Sequence, residues 1–194
     1  MINLHKDSCK EYQFWSDYIQ KYDNIACAEL SEKTTLNSTG RNLRNKALRL
    51  GYTCRYVSYE ERNTLLYDIH EINTSTMYRQ GKIMKDAYLE YPKAMSGNFT
   101  CNNHYSCWYG VFKDTKMVGY IVGAYCGNMV AFSMILGHAD YLKDGIMYML
   151  SEYVMKYSHA LSLSDYCIYS RWSDGTDGLR TFKHNLGFKI TNLQ

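Results

Sequence analysis

Proline is nearly missing from this chain: Pro92 stands alone among 194 residues. No low-complexity tract occurs either, which argues against a long disordered linker. No apolar run approaches the roughly 18 residues of a membrane span. The opening MINLHKDSCK lacks the apolar core that a signal peptide carries. A soluble, cytoplasmic protein without a membrane partner is expected. Charge of one sign is scarce as well, with a formal net charge of +3. That falls short of the dense positive charge of a dedicated nucleic-acid binder, and it neither requires nor excludes an anionic partner. Seven cysteines, at 9, 27, 54, 101, 107, 126 and 167, form an odd set without a CxxC pair. They indicate neither a disulfide framework nor a thiolate zinc site, and read as reduced, mostly buried thiols. The six histidines are scattered, so no metal centre is expected.

Apolar residues make up 46% of the chain, enough for a sizeable core, and tyrosine is unusually frequent at 20. The length suits one domain, residues 51–194, with an N-terminal helical extension, residues 1–50, packed on it. Tyr12, Trp15, Tyr18, Ile19 and Tyr22 recur at helical spacing. Leu43, Ala47 and Leu48 fit a second helix ending at Gly51. Arg41, Arg44, Lys46 and Arg49 surround it as a solvated face or a phosphate-binding one.

The chain is organised around residues 108–159. Two apolar runs, Trp108 to Phe112 and Met117 to Tyr125, meet across the polar turn Asp114-Thr115-Lys116 as a hairpin. A third run, Met129 to Leu136, is nearly all apolar, as expected of a strand covered on both faces. It leads through Gly137-His138-Ala139-Asp140 into a helical stripe that starts at Ile146 and takes in Met149, Leu150, Tyr153, Val154 and Tyr157. A loop that opens a helix beside a strand end directs backbone N–H groups and the helix dipole at one spot, which suits an anionic phosphate.

Ahead of this unit, Tyr52 to Val57 reads as a strand. Ser58 and Glu61 fit a capping box for a helix carrying Leu65, Leu66, Ile69 and Ile72. His70 on that helix reads as structural or solvated. Residues 76–107 are irregular, either a binding loop or an insertion. Behind the central unit, residues 165–172 read as a strand, 178–186 as a short helix stopped by Gly187, and 188–191 as a last strand. Strands alternating with helices around a hairpin make a mixed α/β (α+β) sheet flanked by helices.

The run Gly178-Leu179-Arg180-Thr181-Phe182-Lys183-His184-Asn185-Leu186-Gly187-Phe188 resembles the closing helix and strand of the GCN5-related N-acetyltransferase (GNAT) superfamily. There, too, a short helix ends in a Gly-Phe that begins the next strand. The order of elements across residues 52–190 is similar to that superfamily. The same ending, and the Arg79-Gln80-Gly81 turn, also resemble the Fem-type aminoacyl transferases. The resemblance implies a centrally splayed sheet with acetyl-CoA, or another acyl-CoA, held where the two central parallel strands part. Met134, Ile135 and Leu136 would pair with the pantetheine. Tyr141, Leu142, Lys143, Asp144, Gly145 and Ile146 would hold the pyrophosphate. That loop departs from the family's Arg/Gln-x-x-Gly-x-Gly/Ala in having one glycine and an acidic residue. Lys183 stands where many members carry a tyrosine that protonates the departing thiolate.

The implied reaction is N-acyl transfer to an amine, which must lose a proton while the leaving group gains one. Asp140, at the end of the third run, is the candidate to bind or deprotonate the acceptor, with His138 assisting. Tyr169 is the candidate acid. Arg79, Gln80, Arg171 and Trp172 are candidates for acceptor binding. The acceptor amine itself, whether small molecule, protein or nucleic-acid base, is not specified by the sequence, and a homodimer is compatible with the reading. Transfer from a charged tRNA, transfer onto a nucleic-acid base, and a cofactor-free binding module are the competing expectations.

Overall fold

The computed structural model describes residues 1–33, 35–79, 82–97 and 101–192. Helix α1 (Lys10–Lys21), strand β1 (Ile25–Glu29) and helix α2 (Ser38–Arg49) come first. β2 (Tyr52–Val57), α3 (Tyr59–Thr64) and α4 (Leu66–Thr74) follow. A small ribbon of β3 (Tyr78–Arg79) and β4 (Lys82–Ile83), then the single turn α5 (Asp86–Leu89), lead to the long strands β5 (His104–Lys113), β6 (Lys116–Cys126) and β7 (Met129–Gly137). A 3₁₀ turn, Ala139–Asp144, opens α6 (Ile146–Ala160). β8 (Tyr166–Arg171), α7 (Asp177–Asn185) and β9 (Lys189–Thr191) close the fold.

Local chemistry sets most of these boundaries. Ser58 Oγ accepts the Glu61 amide at 3.1 Å and starts α3. Glu61 does not reach back, as the capping-box reading expected; its carboxylate pairs with Arg55 instead. Asn37 Oδ1 takes the Gly40 amide and starts α2, and Gly51 ends that segment in the left-handed region, φ +80°.

The main sheet runs β2-β5-β6-β7-β8-β1-β9. All its pairings are antiparallel except β7 with β8. Residues 1–50, read from the sequence as helical, therefore also supply a strand, lodged between β8 and β9. The segment Ile-Ala-Cys-Ala-Glu is short and buried at four of its five positions. Without alternation it carries no period for a sequence reading to detect.

Three apolar clusters hold the layers together. One face of the sheet packs under α2 and α6 through Tyr109, Ile121, Val130, Phe132 and Leu150. The other packs under α3 and α4 through Trp108, Tyr120, Leu136, Ile69 and Ile72, and near α1 through Ile19, Cys126 and Met129. The tyrosines are used inside. Tyr109 Oη and Tyr125 Oη lie 2.5 Å apart. Tyr125 Oη lies 2.7 Å from Ser158 Oγ, which donates to the Val154 carbonyl. This closes a buried hydroxyl chain with its polar atoms satisfied.

Helix α2 lies across α6 and α7 at backbone distance. A Cβ on Gly40 would stand 2.5 Å from the Asn185 carbonyl oxygen, and one on Gly145 would stand 2.3 Å from that of Leu43. Gly145 also has φ +82°. Arg44 pairs with Glu152 at 2.5 Å and Lys46 with Asp144 at 3.3 Å, so these two cations fasten the helix to α6 and the turn before it, while Arg41 donates locally to the Leu36 carbonyl. Gly145→Ala should cost roughly 2 kcal/mol. A thermal scan should show a midpoint lowered by about 4 °C or more; an unchanged midpoint would contradict the close packing of α2 on this turn.

Candidate functional site

The site is built where β7 and β8 stop pairing. They are parallel partners from Met129–Tyr166 to Ala131–Ile168, and no further. Both strands turn irregular at once. On β7, Ser133 is an extra residue between Phe132 and Met134, which pair with Gly123 and Val122. Its hydroxyl donates to the Val122 carbonyl at 2.9 Å. On β8, Tyr169 and Ser170 together face one residue of β1, and Ser170 adopts φ +51°. Such bulges bend a strand and re-aim its side chains. The rings of Phe132 and Tyr169, 5.8 Å apart, wedge the root of the fork.

On the α6–α7 face this fork opens into a cavity of about 400 Å³. Ile135 and Gly137 form one wall and Tyr169 the other. Tyr148, Leu179 and Phe182 roof it from the helices, and Arg79 lies at one end. The Arg79 guanidinium donates to the carbonyls of Gly137 (2.9 Å) and Ile72 (2.6 Å) and to Ser75 Oγ. It therefore pins the tip of β7 to α4, and burial lowers its pKa from the ordinary arginine value. Tyr148 Oη accepts from Asn185 Nδ2. Among the described residues, the lining holds neither carboxylate nor histidine.

A second cavity, about 480 Å³, lies on the opposite face of the same strand. Met134 faces it, where Ile135 faces the first. Its walls include Arg62, Asn73, Tyr88, Trp108 and Tyr120. Arg62 lies over the Trp108 ring at 5.0 Å and donates to the Lys93 carbonyl at 2.5 Å, which holds the segment after α5 in place. Asn73 is buried and accepts the Tyr120 hydroxyl at 2.8 Å.

The expected site residues divide. Ile135, Leu142, Tyr169 and Arg79 line the first cavity, and Met134 lines the second. Leu136 is core against α4. His138 and Asp140 line neither. His138 caps the 3₁₀ turn by accepting the Asp140 amide at Nδ1, 3.3 Å, and its ring packs against Tyr141. The Asp140 side chain is 83% exposed. Arg171 is held by Asp174 at 2.6 Å and lies over the Tyr22 ring. Trp172 follows it, with its amide on the Asn24 carbonyl. Gln80 lies outside the described residues. Tyr148, Leu179 and Phe182 were not anticipated. One signal for Tyr148 was present, an aromatic in the first turn of α6 lying off the helix's core stripe.

Lys183 is fully buried. Its ammonium donates to the carbonyls of Arg171 and Asp174, and so closes the turn after β8.

Whether the turn before α6 suits the diphosphate of an acyl-CoA can be tested on its hydrogen bonds. The Tyr141 and Gly145 amides donate to His138 and Leu142, and a 3₁₀ turn engages the amides between them in its own i→i+3 bonds. Gly145 is pressed on Leu43, and Ile146 is fully buried. The Lys143 carbonyl accepts from Lys46, and the Asp144 carboxylate accepts from Tyr52 Oη at 2.8 Å. These bonds hold the Asp144 pKa below the ordinary aspartate value, the Tyr52 bond first and Lys46 after it. The helix mouth is covered by α2, and Asp144 is already held by Tyr52 and Lys46, so these residues do not fit the cofactor's diphosphate.

No protein-family model matches the chain, and no curated protein does. Solved structures do resemble it. FemX superposes with a TM-score of 0.62 at 10% identity, covering 87% of this chain and 59% of that one. The C-terminal domain (DUF2156) of a candidate lysylphosphatidylglycerol synthetase from Agrobacterium fabrum gives 0.59 at 12% identity, covering 87% and 58%. A tandem GNAT protein from the clavulanic acid biosynthesis pathway gives 0.56 at 10% identity, covering 87% and 50%. The chain thus spans between half and three-fifths of these structures' lengths. The fold is the GNAT fold, a mixed and centrally splayed sheet flanked by helices. Among the described residues, no helix is long and apolar enough to cross a membrane.

Desolvation pushes the buried Lys183 ammonium down from 10.5 to about 8. Between those values the unfolded chain binds the proton more tightly than the folded chain, so this group's contribution to stability rises with pH through that window. Urea unfolding at a series of pH values should show the wild type gaining stability relative to Lys183→Met from about pH 8 to 10.5. A flat difference would mean that the ammonium is solvated.

Proposed function

We propose that the chain is an acyltransferase that brings an acyl donor and an amine together across the unpaired half of β7, and that the donor is an aminoacyl ester on tRNA. One observation carries the reading: two cavities flank consecutive residues, Ile135 and Met134, of a strand whose edge is open. A donor in the cavity under α6 and α7 and an acceptor in the cavity beside Asn73 and Tyr88 would approach each other at that edge. The sealed mouth of α6 argues against the acetyl-CoA donor that the resemblance implied. FemX and a lysylphosphatidylglycerol synthetase domain among the fold's neighbours support an aminoacyl donor. Exposed Lys82, paired with Arg79 in the ribbon, and exposed Lys143, next to Leu142, supply cations near the cavity mouth for a polyanionic carrier.

The amine nitrogen would bond to the ester carbonyl carbon, the C–O bond to the carrier would break, and the amine's proton would end on the leaving oxygen. With no carboxylate or histidine on the donor cavity's lining, most of the rate comes from alignment of the two reactants. Tyr169, at the root of the fork, is assigned to the leaving oxygen. Arg79 positions the tip of β7. His138 and Asp140 are assigned to holding the turn.

The test offers aminoacyl-tRNA and acetyl-CoA in parallel, with a panel of amines. Transfer is expected from the tRNA alone, weakening as salt rises. Leu179→Trp, which fills the donor cavity, should reduce it by about 100-fold or more at an unchanged melting midpoint. Turnover of acetyl-CoA would overturn the donor assignment. So would a clear rise in the melting midpoint on adding millimolar acetyl-CoA.

A further inference from the structure

At the far end of the sheet from the cavities, four side chains from two distant segments converge. Asp7 and Cys9 precede α1, while Cys101 and His104 stand at the start of β5, 94 residues after Asp7 in the case of Cys101. One ligand-type atom from each lies within 4.8 Å of all the others. Cys101 Sγ is 3.0 Å from Asp7 Oδ2 and 3.0 Å from His104 Nδ1. His104 is buried, and its Nε2 is 2.8 Å from the Leu4 carbonyl, an acceptor only, so Nε2 carries the proton. Nδ1 faces Cys101 Sγ inside the cluster. Asp7 Oδ1 accepts the amides of Ser8 and Cys9, which leaves Oδ2 for the cluster.

Cys101 Sγ stands equally far from a carboxylate oxygen and an imidazole nitrogen, and the four inward atoms are all of types that ligate a cation. A bound cation would pair with each of them, with both thiols ionised. Two thiolates, an imidazole and a carboxylate form a mixed sulfur, nitrogen and oxygen set suited to zinc. Around a tetrahedral zinc with ligands at about 2.0–2.3 Å, donor atoms stand roughly 3.3–3.8 Å apart, close to the spacing present. The histidine's outer nitrogen on a backbone carbonyl is the orientation that metal-bound imidazoles take.

We propose that Asp7, Cys9, Cys101 and His104 form a structural zinc site that fastens the N-terminal segment to the start of β5. All four positions are supplied by the chain, which is the closed arrangement of a structural centre. The segment it fastens already runs along the sheet end. The Asn3 amide donates to Asn128 Oδ1 at 2.7 Å, and the Asn128 amide donates to the Asn3 carbonyl at 2.9 Å. The site is independent of the acyl-transfer reading.

The test is cobalt(II) added to the full chain after chelator treatment under reducing conditions. One equivalent should give the intense visible bands of a tetrahedral ion and a thiolate charge-transfer band. Zinc should displace the cobalt and raise the melting midpoint. Cys9→Ser and Cys101→Ser should each lose about half of the charge-transfer intensity, one of two thiolates, and the double variant all of it. Cys107→Ser should match the wild type. Absence of the thiolate band in the wild type, or its persistence in the double variant, would overturn the site. The wild-type spectrum decides the matter even if a variant fails to fold.

Discussion

Strands β7 and β8 pair over only three residue pairs, and the cavities between the layers depend on what stops them. A parallel ladder that continued would leave a flat, closed sheet with no room between its layers. Instead, the bulge at Ser133 and the left-handed Ser170 turn each strand aside immediately beyond the last pair, and Phe132 and Tyr169 fill the angle between them. A bulge on each side of the parting fixes the opening in the backbone, where side-chain motion does not close it. Both cavities flank the strand edge that this parting leaves unpaired.

Helix α2 then decides what that opening can accept. Its backbone touches α6 at Gly145 and α7 at Asn185, two contacts that only glycines permit. Arg44 and Lys46 fasten it to Glu152 and Asp144. The helix mouth that would otherwise attract a phosphate is thereby filled with protein, and its dipole faces a buried contact. The chain thus presents an open strand edge beside a closed helix mouth.

Much of this was legible in the residues. The hairpin of β5 and β6, the buried β7, and α6 with its apolar stripe all follow from period and turn chemistry. The closing Gly-Phe after α7 placed the fold. Gly145 was legible as a special position, although its close approach to the Leu43 backbone was not. His138 and Asp140 sit at the right point of the chain, yet a one-residue step along a strand reverses the face. Gly137 lines the cavity, while His138 caps the turn beside Tyr141. Lys183 looked like a cavity residue by its position on α7, and its ammonium closes the turn after β8.

By itself the sequence determined the local elements and the mixed, alternating plan of the sheet, because periodicity and capping act over a few residues. Only the tertiary structure decided that Ile25–Glu29 would enter the sheet between β8 and β9, that α2 would seal the mouth of α6, and that Asp7 and Cys9 would meet Cys101 and His104. Each of these joins segments tens of residues apart. Such contacts are selected by the shape and polarity of surfaces that exist only after the intervening chain has folded, so no spacing along the chain records them.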